Sequence, residues 1–294
     1  MNTMGMQVPM TGPRAGDAAL VSPLRPRLMR IHAAWDETPD VRTLQVVPAD
    51  GGPLPAWMPG QFAEWSVFGA GEAVFTLANS PTRGDTLECS YRAIGKVTHA
   101  LRHIGVNQVI GFRGPYGNTF DTEAWKGHSV VFVGGGIGTV ALRAAVQWVL
   151  DKREDYGEVV ILNGARTVAD LCYKNEMPEW AKIPNTKVVR AVDPGGETPG
   201  WDGEIGMIPT VFEKLGLEPH NRIVVACGPP IMLKYLFMSL RKLGYSPAQV
   251  VTTLENKMKC GIGMCGRCNV GRHYVCVDGP VFTWEQLEAL PNDF

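Results

Sequence analysis

Ser129-Val130-Val131-Phe132-Val133-Gly134-Gly135-Gly136-Ile137-Gly138 sets a run of β-branched and aromatic residues directly against a cluster of glycines. The run is short, apolar throughout and ends in glycine, which reads as a buried strand. Thr139 to Asp151 follows with an apolar face at helical spacing. Strand, glycine turn and helix are the setting in which a dinucleotide pyrophosphate rests on a helix N-terminus. The glycines do not spell G-x-G-x-x-G. The next strand ends in Asn163-Gly164-Ala165-Arg166 instead of an acidic residue for a ribose. A tight strand–helix turn without a ligand therefore stays open as a reading of the motif alone.

Downstream, strands recur at Glu158–Leu162, Lys187–Val192 and Arg222–Ala226, and helical patterns around Ile208–Leu215 and Ile231–Leu243. Alternating strand and helix predict a parallel, doubly wound α/β sheet. Cys227-Gly228-Pro229-Pro230 closes one of these strands and opens a helix. Its thiol would project at the carboxyl end of the sheet, where ligands bind, although for the motif alone a buried, inert thiol is the favoured reading.

Upstream, Leu28 to Phe120 is β in pattern, with short runs at Leu28–Ala33, Arg42–Val47, Phe62–Phe68, Val74–Ala78, Leu87–Ala93 and Gln108–Arg113. Many short strands at close spacing predict a small antiparallel β-barrel. One helical segment interrupts it at Val97–Ile104. Gly95, Lys96 and Thr98 at its start are what an anion site at a helix N-terminus would use. Gly114-Pro115-Tyr116-Gly117 reads as a turn closing the barrel, and Phe75-Thr76-Leu77-Ala78 as a strand entering a turn.

Near the C-terminus Cys260, Cys265, Cys268 and Cys276 give the spacing C-x4-C-x2-C-x7-C, four of the chain's 7 cysteines. The first three match the spacing that holds a plant-type [2Fe–2S] cluster, with a fourth thiolate supplied from elsewhere. A zinc site would usually show two C-x2-C or Cys/His pairs, and disulfide frameworks belong to small secreted chains. Gly261, Gly263, Gly266 and Gly271 would let the loop take positive φ and turn its N–H groups toward sulfur. Cys89 and Cys172 fall in apolar strands and read as inert; His32, His128 and His220 lack clustered partners.

The 294 residues carry a net charge of −1 and are 45% hydrophobic. They lack the basic field that nucleic acid or an anionic membrane would require. The N-terminal segment has no signal-peptide pattern and no apolar run reaches membrane-span length. A cytoplasmic protein with reduced thiols is expected.

Taken in order, the barrel with Gly95-Lys96-Val97-Thr98, then Gly114-Pro115-Tyr116-Gly117, the glycine turn, Asn163-Gly164-Ala165-Arg166, Cys227-Gly228-Pro229-Pro230 and the cysteine loop resemble the ferredoxin–NADP reductase superfamily. The similarity spans about residues 28–290. It is nearest to the branch holding the electron-transfer subunits of dihydroorotate dehydrogenase and sulfite reductase and the gamma (diaphorase) subunit of multi-subunit NiFe hydrogenases. The last is favoured through Glu255–Gly263 and Asp278–Phe282. The resemblance implies FAD in the barrel, at Phe75, Thr76, Leu77, Ala78, Arg92, Gly95, Lys96, Val97 and Thr98. It implies NAD(H) or NADP(H) at Gly135, Gly136, Gly138, Thr139, Asn163, Arg166, Cys227, Gly228 and Pro229, with Thr76 and Cys227 beside the hydride path. Many relatives carry an Arg two residues before the flavin aromatic; here that position is Ala73, which leaves the phosphate charge to Arg92, Lys96 and helix N–H groups, with Arg83 a further candidate.

The expected layout is a tail at 1–26 that is mobile or binds a partner, an FAD barrel at 27–124, an NAD(P) domain at 125–250 and a cluster module at 251–294. No acid–base or nucleophilic constellation is present. The implied function is electron transfer between NAD(P)H and a partner redox protein. The alternatives are the electron-transfer subunit of a dihydroorotate dehydrogenase or sulfite reductase, or a non-catalytic redox-sensing or scaffold module.

Overall fold

The computed structural model describes residues 22–290. Residues 1–21 of the expected tail lie outside this range. Of the rest of that tail, the Pro23 carbonyl accepts a hydrogen bond from the Tyr116 hydroxyl.

The first half is an antiparallel sheet of strands β1 (Arg27–Asp36), β2 (Val41–Pro48), β3 (Phe62–Val67), β4 (Gly71–Thr76), β5 (Leu87–Arg92) and β6 (Val109–Tyr116) in the order β4-β3-β6-β1-β2-β5. Helix α1 (Lys96–Arg102) bridges β5 and β6. Each expected strand run forms a strand. Ile31, Leu44, Ala63, Trp65, Leu87, Cys89 and Ile110 alternate inward and fill the core of this half. Gly114-Pro115-Tyr116 belongs to β6 itself, where the sequence suggests a turn. Glu64 pairs with Arg113 but Phe62 with Tyr116, so β6 carries one extra residue there. A bulge frees the ladder from needing an N–H from Pro115.

The second half is a seven-stranded sheet. It is built from β7 (Ser129–Gly135), α2 (Gly138–Asp151), β8 (Val159–Ala165), α3 (Met177–Ala181), β9 (Thr186–Val192), β10 (Glu204–Ile205), α4 (Ile208–Lys214), β11 (Arg222–Cys227), α5 (Pro230–Lys242) and β12 (Val250–Thr253). These are followed by β13 (Asn269–Val270), β14 (His273–Tyr274), α6 (Val275–Asp278), β15 (Val281–Thr283) and α7 (Trp284–Glu288). The sheet order is β10-β9-β8-β7-β11-β12-β15, parallel except for β15. Because β8 and β11 flank β7 on opposite sides, the chain reverses direction between β7 and β11. A crevice opens there at the strand ends, and ligands bind at such switch points.

The cysteine loop is carried between β12 and β15, so its two ends are hydrogen-bonded into the sheet. The expected cluster module from residue 251 starts on β12, and the chain returns to the sheet at β15. β13 and β14 form a small hairpin within the loop.

The two halves are joined by a buried polar network. Arg143 of α2 donates to the Ala78 carbonyl (3.1 Å) and to Glu88 (2.6 Å), pairs with Glu176 (2.7 Å) and stacks over the Tyr173 ring (4.6 Å). Gln147, one turn on, accepts the Ser80 N–H. The Arg83 guanidinium clasps Asp151 at the end of α2. The helix that begins at the glycine turn is thereby fixed to the turn following β4. Among the described residues no helix is long and apolar enough to cross a membrane.

Candidate functional site

Three groups of candidate residues surround the join between the halves. The first lies at the end of β4 and the start of α1. Phe75 packs against Tyr91 with tilted rings, their centroids 5.3 Å apart, and the Thr76 hydroxyl donates to the Gln61 carbonyl at 3.2 Å. Leu77 and Ala78 are buried. The Thr98 hydroxyl accepts the N–H groups of Ile94 and Gly95. The next N–H groups, at Lys96 and Val97, stand at the helix start, where no intrahelical acceptor exists. Lys96 is exposed and forms no ion pair among the described residues. Arg92 instead pairs with Asp40 at 2.7 Å, and Arg83 is held by Asp151, so two cations expected to share the phosphate charge have carboxylate partners. The fit to a phosphate-bearing cofactor rests on Lys96 and the helix start.

The second group is the switch point. Cys227 pairs in register with Gly134, which brings the glycine turn against Cys227-Gly228. A Cβ at Gly138 would collide with the Cys227 carbonyl, and one at Gly135 with the Met232 sulfur. Packing requires glycine at Gly138, where the obstacle is backbone, whereas at Gly135 it is the end of a flexible side chain. Gly136 differs: it has φ +55 and open space beside it, so its backbone can approach a ligand. Thr139 and Asn163 are buried and turned away. The Thr139 hydroxyl donates to Asn163 Oδ1 (2.9 Å), and Asn163 Nδ2 donates to the Cys172 carbonyl. Arg166 is exposed just beyond β8. The Thr253 hydroxyl donates to Cys227 Sγ at 3.1 Å, and burial, partly offset by that bond, pushes the Cys227 thiol up to about 11. Burial also raises the thiols of Cys89 and Cys172, neither of which lies in the cysteine loop.

The third group is the cysteine loop. Gly261, Gly263, Gly266 and Gly271 all have positive φ, at +74, +75, +69 and +55, as the loop reading requires. The backbone N–H groups turn inward. Gly263 donates to Cys276 Sγ at 3.1 Å and Cys265 to Cys260 Sγ at 3.4 Å. Burial works against the Cys260 thiolate, but the N–H groups of Ile262, Cys265 and Met264 outweigh it and lower the thiol to about 7. Burial, and a hydrogen bond that the Cys276 thiol donates to Cys268, raise Cys276 to about 12. Cys260, Cys268 and Cys276 are buried and Cys265 is exposed at the tip. The four sulfurs are presented by one loop without meeting at a point; among the described residues no three His, Cys, Asp or Glu side chains would hold a single ion. The chemistry of the donor set, four cysteines with N–H groups aimed at sulfur, fits an iron–sulfur cluster.

Residues that sequence reasoning passed over join this loop to the barrel. Arg113 donates to the carbonyls of Cys260 (2.9 Å) and Lys259 (3.1 Å). Asn118 bonds both ways with Val281 and donates to the Asp278 carbonyl. The Tyr116 ring lies against Gly261. Phe62, Val74 and Tyr116 pack with Cys268, Val275 and Cys276. The signal in the sequence was charge inside β patterns, at Glu64 between Ala63 and Trp65 and at Arg113.

Residues 132–236 match the family described as oxidoreductase NAD-binding domain. Residues 255–288 match the iron-sulfur cluster binding domain of dihydroorotate dehydrogenase B. The structure resembles the NADH-dependent reduced ferredoxin-NADP oxidoreductase, with TM-score 0.72, 24% identity and 90% of each chain covered. The flavohem-like FAD/NAD binding domain of nitric oxide dioxygenase from Vibrio cholerae superposes with TM-score 0.69 at 19% identity, covering 78% of this chain and 98% of that one. Fold and family matches together define an oxidoreductase of ferredoxin–NADP reductase-like fold, with an NAD-binding domain and an iron–sulfur cluster binding domain. Sulfhydrogenase 1 subunit gamma of Pyrococcus furiosus is 36% identical over 241 residues, 80% of this chain and 82% of that protein. The probable dihydroorotate dehydrogenase B electron transfer subunit of Thermococcus kodakarensis is 30% identical over 268 residues, 90% of this chain and 99% of that protein. The chain belongs to the family that contains these two kinds of electron-transfer subunit.

Proposed function

We propose that the chain is the diaphorase (gamma) subunit of a NiFe-hydrogenase-type complex, passing electrons between NAD(P)H and a partner redox protein. When bound, FAD accepts two electrons as hydride and releases them one at a time, which connects a nicotinamide to a one-electron cluster. Phe75, Thr76, Lys96 and the start of α1 hold the flavin in this reading, and Gly136 with Cys227 and Gly228 holds the nicotinamide dinucleotide. Cys260, Cys265, Cys268 and Cys276 hold the cluster.

One observation carries the proposal. On β4, Val74 packs against the apolar cluster formed by Phe62, Cys268, Val270, Val275 and Cys276, while its neighbour Phe75 packs on Tyr91 on the opposite face. Alternation along a single strand separates the flavin side from the cluster side by one strand's thickness, a short path for an electron. The exit is the exposed Cys265, next to exposed Met264 and with exposed Val277 and cations Lys257, Lys259, Arg267 and Arg272 on the same loop. This suits a partner with an acidic face around its own one-electron centre.

The gamma assignment rests on identities of 36% and 32% to two sulfhydrogenase gamma subunits. The match of residues 255–288 keeps a dihydroorotate dehydrogenase complex as a second reading. Co-purification from the native host separates them. Cys265→Ser tests the relay: electron delivery to the partner falls at least tenfold while NAD(P)H oxidation by a dye that accepts from flavin persists. Equal loss of both in a folded, flavin-loaded variant would defeat the proposal.

A further inference from the structure

We infer that Arg113 is a positioning residue that seats the cysteine loop on the barrel and sets the reduction potential of the cluster through its buried charge. The inference rests on the assignment of the cluster to Cys260, Cys265, Cys268 and Cys276. It goes beyond that assignment by naming a residue that does not bind the cluster.

The sequence pattern of β3 explains why a cation lies here. Ala63 and Trp65 face the barrel core, so Phe62, Glu64 and Ser66 face the other way. In a simple barrel that face would meet water. Here the cysteine loop covers it, and Glu64 is 1% exposed. Glu64 lies directly opposite Arg113 in the β3–β6 ladder, and Ser66 opposite Glu72 in the β3–β4 ladder. The layer beneath Cys260 therefore holds the buried Glu64 carboxyl and Arg113 guanidinium, with Glu72 at its rim, 36% exposed.

Every face of the guanidinium is occupied. Arg113 Nε and Nη2 form a fork on Glu72, at 2.9 and 2.8 Å. Nη1 and Nη2 reach the carbonyls of Cys260 and Lys259, at 2.9 and 3.1 Å. The Arg113 side chain is 2% exposed. The Ser66 hydroxyl donates to Glu72 at 2.6 Å and fixes that carboxylate. Glu64 Oε1 has no hydrogen-bond partner among the described residues. A lysine could supply the charge but not the fork that grips Glu72 and two carbonyls together.

A buried cation is weakly screened. Net charge and hydrogen bonding around a cluster tune its potential. Arg113 stabilises the extra negative charge of the reduced cluster, and Glu72 opposes it. Removing the cation and removing the anion must therefore move the potential in opposite directions. A merely structural role gives no such reversal, since loosening the loop from either side has the same sense.

The test is a redox titration of the loaded protein at pH 8, with the cluster followed by paramagnetic resonance, in wild type, Arg113→Gln, Arg113→Lys and Glu72→Gln. Arg113→Gln should make the cluster about tenfold harder to reduce, a midpoint lower by about 59 mV for one electron. Glu72→Gln should move it upward, and Arg113→Lys should stay nearer wild type than Arg113→Gln. Shifts of the same sign, or none, would overturn the inference. If Arg113→Gln fails to load iron, Glu72→Gln decides alone, because it retains the bonds from Arg113 to the loop. A wild-type protein without any cluster signal would overturn the cluster assignment and this inference together. A wild-type signal indifferent to the variants overturns this inference only.

Discussion

Arg143→Met removes the cation at the centre of the join between the two halves. The Arg143 side chain is 7% exposed and that of its partner Glu88 9%, so water cannot replace the lost partner. Deleting one member of a buried pair leaves the other as an uncompensated charge and costs about 3–5 kcal/mol. The Ala78 carbonyl also loses its donor, and the Tyr173 ring its cation. Urea unfolding of the loaded protein should register this loss. NAD(P)H oxidation by a dye should fall as well, because α2 runs from the glycine turn to the turn after β4. Arg143→Lys should recover part of the stability, lacking the fork. Adding Glu88→Gln to Arg143→Met should recover much of the remainder, since the stranded charge is gone, and the two changes will be strongly non-additive. A loss below about 1 kcal/mol for Arg143→Met, or simple additivity of the pair, would refute the buried-clamp argument.

Gly138→Ala should destabilise by about 1–3 kcal/mol through overpacking against the Cys227 carbonyl and raise the KM for the nicotinamide dinucleotide; an unchanged KM would contradict the packing of the turn on β11. Burial raises the Glu64 carboxyl to about 7 from 4.5 despite Arg113. Between those values the folded chain binds more protons than the unfolded one, so stability is fully present below 4.5 and declines as pH rises through 7. Urea midpoints should show that slope in wild type and a flatter profile in Glu64→Gln. Reduction of an acidic ferredoxin by the loaded protein should fall roughly tenfold from low to moderate salt and drop in Arg267→Glu. Insensitivity to both would remove the case for an acidic partner.

The barrel and the doubly wound sheet were legible because their signals are local. Strand runs, the glycine turn and the helical stripe of α2 are set by residues close in sequence. The cysteine loop was legible down to backbone conformation, since the geometry of a sulfur-wrapping loop demands glycine at Gly261, Gly263, Gly266 and Gly271. Pairings between distant residues were not. Nothing near Arg92 announces Asp40 as its partner, and nothing near Thr139 announces its hydrogen bond to Asn163. β12 and β15 are short, and what makes them strands is the sheet edge they join. The two-sided burial of β3 was hidden for the same reason, because the loop that covers it lies far along the chain, between β12 and β15.

The central claim is that electrons from the nicotinamide reach the cluster through the flavin. An anaerobic titration of the loaded protein with NADH, and separately with NADPH, tests it most directly, with flavin followed by absorbance and the cluster by paramagnetic resonance. The account predicts that the flavin bleaches and the cluster signal grows with one of the two reductants. Flavin bleaching with no cluster signal at any stage, in protein shown to contain iron, would contradict it.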